Sequence, residues 1–510
     1  MTTPPPASDP FDVPAALGWG PPRTVNPPWT TKLWEPDTVS TASPLVLPVA
    51  LLVGVLAALT LRMETVGSAL LACGTGVLVT AFVARGRRPG AWDLLLAALA
   101  VALAAVGTLR AAEWLVAVAL AGAVTLGTLA LVGARTWTGV AISVFAPALA
   151  PTRTLAWLRR TLATQPIPNL KTWAGGVLVA GVTVTLLATF GALFVAADPA
   201  FGELVDRATP SWDVPLLVRR LITGAAVGGA CLLAGFLAQR PPTADALAPD
   251  PGKPVQRWAW IIPLALLDLL FLIFVAVQVT VLFGGRDHVL HTAGLSFAEY
   301  ARQGFGQLLA VTVLTLGVVA GAVRVAGRTA LDRALMRGLL GSLCGLALVV
   351  VASALHRMSL YEREFGFTRL RVAATAIEIF GGAVLGLLLI AGVRMSATWL
   401  PRAVVGTAAA TVLGLAALNP DAYIAEHNVD RFERTGRIDV AYLATLSADA
   451  VPALDRLPAG LRDCALQRID RRLRGTSDPW FDTNTARNAA RSRLEERPLG
   501  ECREYDAALG

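Results

Sequence analysis

Residues 372–393 read VAATAIEIFGGAVLGLLLIAGV, and Glu378 is the one charged side chain among them. At 1.5 Å per residue, a helix of this length covers the roughly 30 Å of hydrocarbon in a bilayer. A water-exposed helix would carry a polar face recurring every three to four residues, and this stretch has none. It reads as a transmembrane helix, and that reading fixes the fold class because the pattern recurs along the chain.

Ten further runs qualify: Ser43 to Leu61, Val66 to Ala84, Ala91 to Leu109, Trp114 to Val132, Trp173 to Ala197, Leu217 to Ala238, Ala259 to Phe283, Phe305 to Val325, Leu335 to Leu355 and Ala397 to Leu418. The expectation is an all-α membrane protein, a polytopic bundle of about eleven helices with a small C-terminal helical domain. Composition agrees. Of 510 residues, 55% are hydrophobic and 16% charged, against about 25% charged in soluble domains.

Four regions are expected: a Pro-rich cytoplasmic leader over 1–43, a first membrane region over 44–258 with an interfacial segment at 136–171, a second over 259–418, and an extracytoplasmic tail over 419–510. The leader holds Pro4, Pro5, Pro6, Pro21, Pro22, Pro27 and Pro28, and lacks the basic-then-apolar order of a signal peptide. Thr136 to Ala150 is short, carries Pro147 and precedes Pro151, so it is expected to be an interfacial or re-entrant piece rather than a full span. After it, Leu155, Leu158 and Leu162 face away from Arg159 and Arg160, as in a helix lying in the headgroup plane.

Arginines concentrate in alternate connections: Arg85, Arg87 and Arg88; Arg135 to Lys171; Arg240, Lys253 and Arg257; Arg324, Arg328, Arg333 and Arg337. Basic connections stay cytoplasmic, so the leader is expected inside and the tail outside. No basic block suits nucleic acid; anionic lipid is the natural partner of these loops. In the tail, Asn419 and Pro420 read as a helix start and Gly436 as its end, with Ala425, Val429 and Phe432 forming an apolar stripe. Leu466, Ile469 and Leu473 form a second stripe, closed by Gly475. Cys464 and Cys502 are the two cysteines of the tail, and either a disulfide or two free thiols fits them.

Four stretches carry a resemblance: FLIFVAVQVTVLFGG from Phe271, SFAEYARQGFGQLLAV from Ser296, ALHRMSLYEREFGFTRLR from Ala354, and NPDAYIAEHNVDRFERTGRIDVAYLATLSADAVPAL from Asn419. All lie between Ala259 and Leu457. They resemble a bacterial integral-membrane family of unknown function, numbered four-one-seven-three, and its neighbour four-one-five-three. The resemblance implies a multi-pass protein of the bacterial plasma membrane and supplies no catalytic residues.

Asp268 and Glu378 stand inside otherwise apolar spans, with Gln278 and Arg394 as candidate neighbours. Such residues mark ion or proton paths, or serve as hydrogen-bonded packing groups. Glu299, Tyr300, Arg302, His356, Tyr361, Glu362, Arg363 and Arg369 mix aromatic and charged groups on the expected outer side. They could line a pocket for a polar or anionic ligand, or anchor the helices at headgroup depth. His288 and His291 have a spacing that metal ligands use, but no third ligand is fixed by sequence, so neither metal nor cofactor is assigned. Gly224 with Gly228, Gly317 with Gly321, and Gly382 with Gly386 have the spacing of close helix contacts. No GxxxxGK[ST], HExxH, CxxC or GxSxG is present, which argues against an ATP-driven pump or a soluble-type hydrolase. Three functions remain: transport or conduction of a small polar or ionic solute, an envelope sensor or scaffold whose tail binds a partner protein, and an enzyme acting on lipid-linked substrate.

Overall fold

The computed structural model describes residues 33–34, 43, 45–61, 66–86, 88–164, 214–247, 255–283, 297–327, 329–394, 396–476, 478–479 and 481–502, with isolated positions between 183 and 194. The expected leader and the span over Trp173 to Ala197 thus lie almost wholly outside the described residues.

Among the described residues the chain is helical throughout. In order come α1 (Val46–Thr60), α2 (Ser68–Ala84), α3 (Ala91–Leu109), α4 (Glu113–Val132), α5 (Trp137–Leu149), α6 (Pro151–Thr164), α7 (Val214–Gln239), α8 (Arg257–Phe283), α9 (Phe297–Val325), α10 (Ala330–Phe365), α11 (Arg369–Arg394) and α12 (Leu400–Leu418). The tail adds α13 (Pro420–Thr435), α14 (Val440–Leu443), α15 (Val451–Leu454), α16 (Ala459–Arg474) and α17 (Thr485–Glu496). Among the described residues eight helices, α3, α4 and α7 to α12, are long and apolar enough to cross a membrane, while α1 and α2 are apolar but shorter.

The pair α5 and α6 bends by 60° at its break. Ala146, Ala150 and Trp157 of this pair cluster with Val46, Ala84, Phe236 and Leu237, so both helices stay at one end of the bundle. Pro151 begins α6, as expected of a proline at a helix start.

Two groups of spans form. α1, α2 and α7 pack together, joined by α3 and α4, while α8 to α11 make a second group around Leu343, Ala347, Val350 and Leu385. α12 touches α11 on one side and α3 and α4 on the other. Glycine sets the closest approach. A Cβ on Gly224 of α7 would come within 2.9 Å of the Gly54 carbonyl of α1, and Gly228 lies against Ala50 and Gly54. Of the other two glycine pairs, Gly382 touches Val351, whereas Gly317, Gly321 and Gly386 have nothing within 4 Å.

The bundle has two unlike ends. One holds residues 85–86, 88–90, 133–136 and 325–327, with 240–247 and 255–257. There Arg85 pairs with Asp93 at 2.9 Å and Asp245 accepts from the Arg135 and Thr136 N–H groups. Asp332 closes the capping box of α10 with Thr329 and also pairs with Arg257 at the start of α8 (2.6 Å). Leu33 and Trp34 sit at this end too.

The other end carries the tail. Ser68, at the start of α2, exchanges hydrogen bonds with Phe481 and Thr483. Asn484 donates to the carbonyls of Gly107 and Arg110 at the end of α3. The tail has its own core of Ile424, Val429, Leu443, Leu446, Leu454, Leu466 and Ile469, and it seats on Val372, Phe367 and Leu415 of the spans.

Three local expectations change. The polar stretch after Leu355 continues α10 to Phe365, where Gly366 (φ 79°) ends the helix, so Tyr361, Glu362 and Arg363 are helical rather than in a loop. The stretch from Phe297 likewise forms the first turns of α9. Asn419 takes a left-handed conformation (φ 56°) between α12 and α13, and its side chain does not cap α13. With its amide oxygen and nitrogen assigned by their neighbours, a carboxylate and a guanidinium, that side chain donates to Asp449 (3.2 Å) and accepts from Arg110 (3.0 Å).

Candidate functional site

Glu378 lies on α11 about nine residues, or roughly 14 Å, from the tail end. It is fully buried. Its Oε1 accepts from the Thr312 hydroxyl of α9 at 3.1 Å, and Oε2 has no partner among the described residues. One turn back on the same helix, the buried Thr375 hydroxyl also lacks a partner. Close packing brings α9 here, since a Cβ on Gly381 would meet the Thr312 methyl at 2.9 Å. Glycine at that position is what lets the hydroxyl reach the acid.

Asp268 lies on α8, about 16 Å from the opposite end. The Ser342 hydroxyl of α10 donates to it at 2.6 Å, while its other oxygen is buried without a partner among the described residues. Nearer the tail, Gln278 of α8 accepts from Ser353 (3.2 Å) and Arg357 (2.7 Å) of α10. Asp268, Glu378 and Gln278 thus occupy successive depths of one four-helix group, each held to a neighbouring helix by hydroxyl or guanidinium donors. Arg394, expected beside the acids, instead lies 6.0 Å over the Trp399 ring at the far end of α11.

Of the outer residues, Glu299, Tyr300 and Arg302 fall on α9 with side chains outside the described ones, and His288 and His291 lie outside the described residues altogether. His356 and Arg363 are exposed, and Glu362 is buried. Tyr361 stacks on Phe365 at 4.8 Å and carries the Arg371 guanidinium 4.3 Å above its ring. Phe367 stacks on Tyr423 and His427 of α13, and Asn428 brackets its backbone, accepting from the N–H and donating to the carbonyl.

Arg369 belongs to a different construction, a buried polar junction between tail and spans. Asp421, fully buried, accepts from Arg369 Nε (2.8 Å), Trp114 Nε1 (3.3 Å) and the Ser447 N–H (2.8 Å). Asp449 accepts from the Ala111 N–H (2.7 Å) and the Ser447 hydroxyl (3.0 Å). Burial pushes the Asp421 carboxyl up, but Arg369 and Ser447 outweigh it and hold it below the ordinary aspartate range. Asp449 is raised, because burial, aided by the Asp421 charge, exceeds what Ala111 and Ser447 return. Further out, Asp478 pairs with Arg487 (2.7 Å) and Arg491 (2.5 Å), which overcome its burial and lower it. Cys464 and Cys502 are joined in a disulfide that ties the C-terminal strap to α16. Arg462 reinforces the strap, bonding Asp455 and the carbonyls of Arg497 and Pro498.

Sequence reading missed Thr312 and Ser342, ordinary residues inside apolar spans, and the pairing of Asp421 with Arg369 across 52 positions. The usable signal for Asp421 was its place beside Pro420, ahead of the apolar stripe of α13. Among the described residues, no group of His, Cys, Asp and Glu could hold a metal ion.

A helical, multi-pass, membrane-embedded protein is what these features define. The family model described as a domain of unknown function, DUF4153, matches residues 94–457, and the chain belongs to that family. This is the neighbour in the resemblance above; the number four-one-seven-three is not the one matched. The match also begins inside α3, well before Ala259, so it takes in the first group of spans. No curated protein and no solved structure matches the chain.

Proposed function

We propose that the protein moves a proton or small cation across a bacterial plasma membrane, with Glu378 as the group that takes it up. The observation that carries this reading is the fully buried carboxyl, with one oxygen on Thr312 and the other without a partner. A buried carboxyl that is only half satisfied is costly in lipid, and such residues commonly serve ion or proton paths. Asp268 and Gln278 supply polar steps toward the two ends of the same helix group.

In this proposal the arginine-rich end is cytoplasmic and the tail extracytoplasmic, which suits both the positive-inside rule and the tail disulfide. About eleven crossings are supported by parity. α6 stops at the arginine-rich end, and α7, running antiparallel to α1, starts at the tail end. A span over Trp173 to Ala197 would make that connection.

Purified protein in liposomes under an imposed ion gradient tests the reading. Wild type is expected to pass protons or a monovalent cation, and Glu378→Gln to lose at least tenfold of that flux at equal incorporation. Unchanged flux in Glu378→Gln would sink it, whatever Asp268→Asn does.

A second reading gives the tail the working role, as an envelope scaffold or sensor. It is favoured by the tail's own core and its hold on both groups of spans. Truncation after Leu418 that abolishes activity in cells, with Glu378→Gln fully active, would select it.

A further inference from the structure

Thr312 has one hydroxyl hydrogen and two acceptors in reach, the Leu308 carbonyl one turn back on α9 at 3.2 Å and Glu378 Oε1 at 3.1 Å. A hydroxyl gives one hydrogen bond and accepts others on its lone pairs, so it can serve the acid in either state. Turned to Glu378, the hydrogen goes to a carboxylate. Turned to Leu308, it leaves the oxygen free to accept from a protonated carboxyl. Rotation about one bond exchanges the two arrangements, and no other heavy atom has to move. On α11 the Thr375 hydroxyl, on the turn before Glu378, is buried without a partner among the described residues, and side chains three apart on a helix are neighbours.

A metal cation needs more oxygens than this. It leaves its water shell only for several oxygens at once, and spanning helices supply them where the helix is broken and its carbonyls are released. α9 and α11 run unbroken past Glu378, with no proline inside either. Their carbonyls stay in the helical ladder, which leaves the two carboxyl oxygens with the hydroxyls of Thr312 and Thr375. Space is short as well: a Cβ on Gly381 would meet the Thr312 methyl at 2.9 Å, and one on Gly382 would meet Val351 of α10 at 3.1 Å. Nor does another charge share the carboxyl. Arg357 of α10 turns to Gln278 of α8 (2.7 Å) and Asp268 of α8 is held by Ser342. Arg324 on α9, Arg337 on α10, and Arg371 and Arg394 on α11 stand toward the ends of their helices, and none of the six bonds Glu378.

We propose that the ion taken up at Glu378 is a proton and not a metal cation, and that Thr312 is the positioning residue that lets the carboxyl hold or release it without rearrangement. This rests on Glu378 being the uptake group of the proposed function. On uptake an O–H bond forms at Oε1, and Thr312 turns its own hydrogen to the Leu308 carbonyl while accepting the new one. On release that O–H bond breaks, the proton passes to water reaching the site from a membrane face, and the Thr312 hydrogen returns to the carboxylate. A proton asks for one acceptor and no added volume, which is what the packed α9 and α11 contact leaves.

Infrared difference spectra of the full-length protein in detergent provide the test, with the band of protonated carboxyl groups titrated against pH in choline, sodium or potassium chloride. Wild type is expected to show a titrating band that Glu378→Gln lacks, with one midpoint in all three salts. A midpoint that falls by about one pH unit for each tenfold rise in sodium or potassium would overturn the proposal, because a metal cation then competes for the carboxylate. A wild type without a titrating band, or a band that survives in Glu378→Gln, would overturn it too. Thr312→Val removes the donor to the carboxylate and should move the midpoint up by about one pH unit, whereas Thr312→Ser should keep the wild-type value. An unmoved midpoint in Thr312→Val, or in Thr312→Ala if the valine variant does not fold, refutes the role of Thr312. Liposome flux separates this inference from the reading it rests on. A sodium or potassium flux that needs Glu378, with no proton flux, keeps the transport reading and removes the proton; flux indifferent to Glu378→Gln removes the transport reading itself.

Discussion

Asp421 in the tail and Glu378 in the spans are both fully buried acids, and they are kept in opposite ways. Asp421 has an arginine, an indole N–H and a backbone N–H on its two oxygens. Glu378 has one threonine hydroxyl and an oxygen with no partner. A buried charge whose lone pairs are all used is part of the architecture, since removing a partner strands the other. One left half satisfied adds little to the fold, and in the proposed function it is the group that takes up the ion. The tail invests its charges in holding the two groups of spans together; the spans hold themselves by close packing and leave their acids available.

The largest effect should come from Asp421→Ala. It strands Arg369 and the Ser447 N–H in a buried junction, at a cost of about 3–5 kcal/mol. Thermal unfolding in detergent should show the tail released, with α17 no longer holding the end of α3. A loss below about 1 kcal/mol would mean the junction is ornamental and the contrast false.

Next comes Gly224→Ala, which probes the packing side of the comparison. The added methyl would press on the Gly54 backbone at 2.9 Å, and α1 must shift, costing about 1–3 kcal/mol. Gly317→Ala, with open space around it, should be neutral in the same melt.

Acid sharpens the contrast further. Asp421 and Asp478 have pKa values depressed in the fold, so their contribution is present above the ordinary aspartate pKa and is lost as pH falls through the depressed values. Asp449 has the opposite sign: its raised pKa favours the protonated form in the fold, and stability drops as pH rises through it. The tail should therefore loosen below the ordinary aspartate range. Asp478→Asn should flatten that loss, and Asp449→Asn should slightly raise stability at neutral pH. Tail unfolding followed by circular dichroism checks both signs.

The smallest structural effect is expected from Glu378→Gln. The amide keeps an acceptor for Thr312 and removes a half-satisfied acid, so stability should change by less than about 1 kcal/mol. A large loss of stability would place Glu378 with Asp421, as a structural residue.

Much of this was legible in sequence, for reasons the two regions make plain. Ala91 to Leu109 has the same limits in sequence and structure because lipid imposes a length and forbids charge, and both are local properties. The tail stripes on Val429 and Leu466 likewise followed from helical period. The acids themselves stood out as lone charges in apolar runs. What could not be read was company. Thr312 reaches Glu378 across 66 positions, and nothing local marks it among the many threonines of the spans. Arg369 looked like a ligand-binding residue because its partner is on another helix. The ten extra residues of α10 were hidden because polarity marks the membrane boundary, while a helix ends only where its backbone is turned, here at Gly366.

A hydrophobic carbodiimide reaches carboxyl groups from the lipid phase and marks them covalently, and peptide mapping of the treated full-length protein reads every acid at once. Modification of Glu378 with Asp421 untouched is the expected pattern, because Asp421 is ionised and fully paired. Equal modification of the two, or modification of Asp421 alone, would contradict the account.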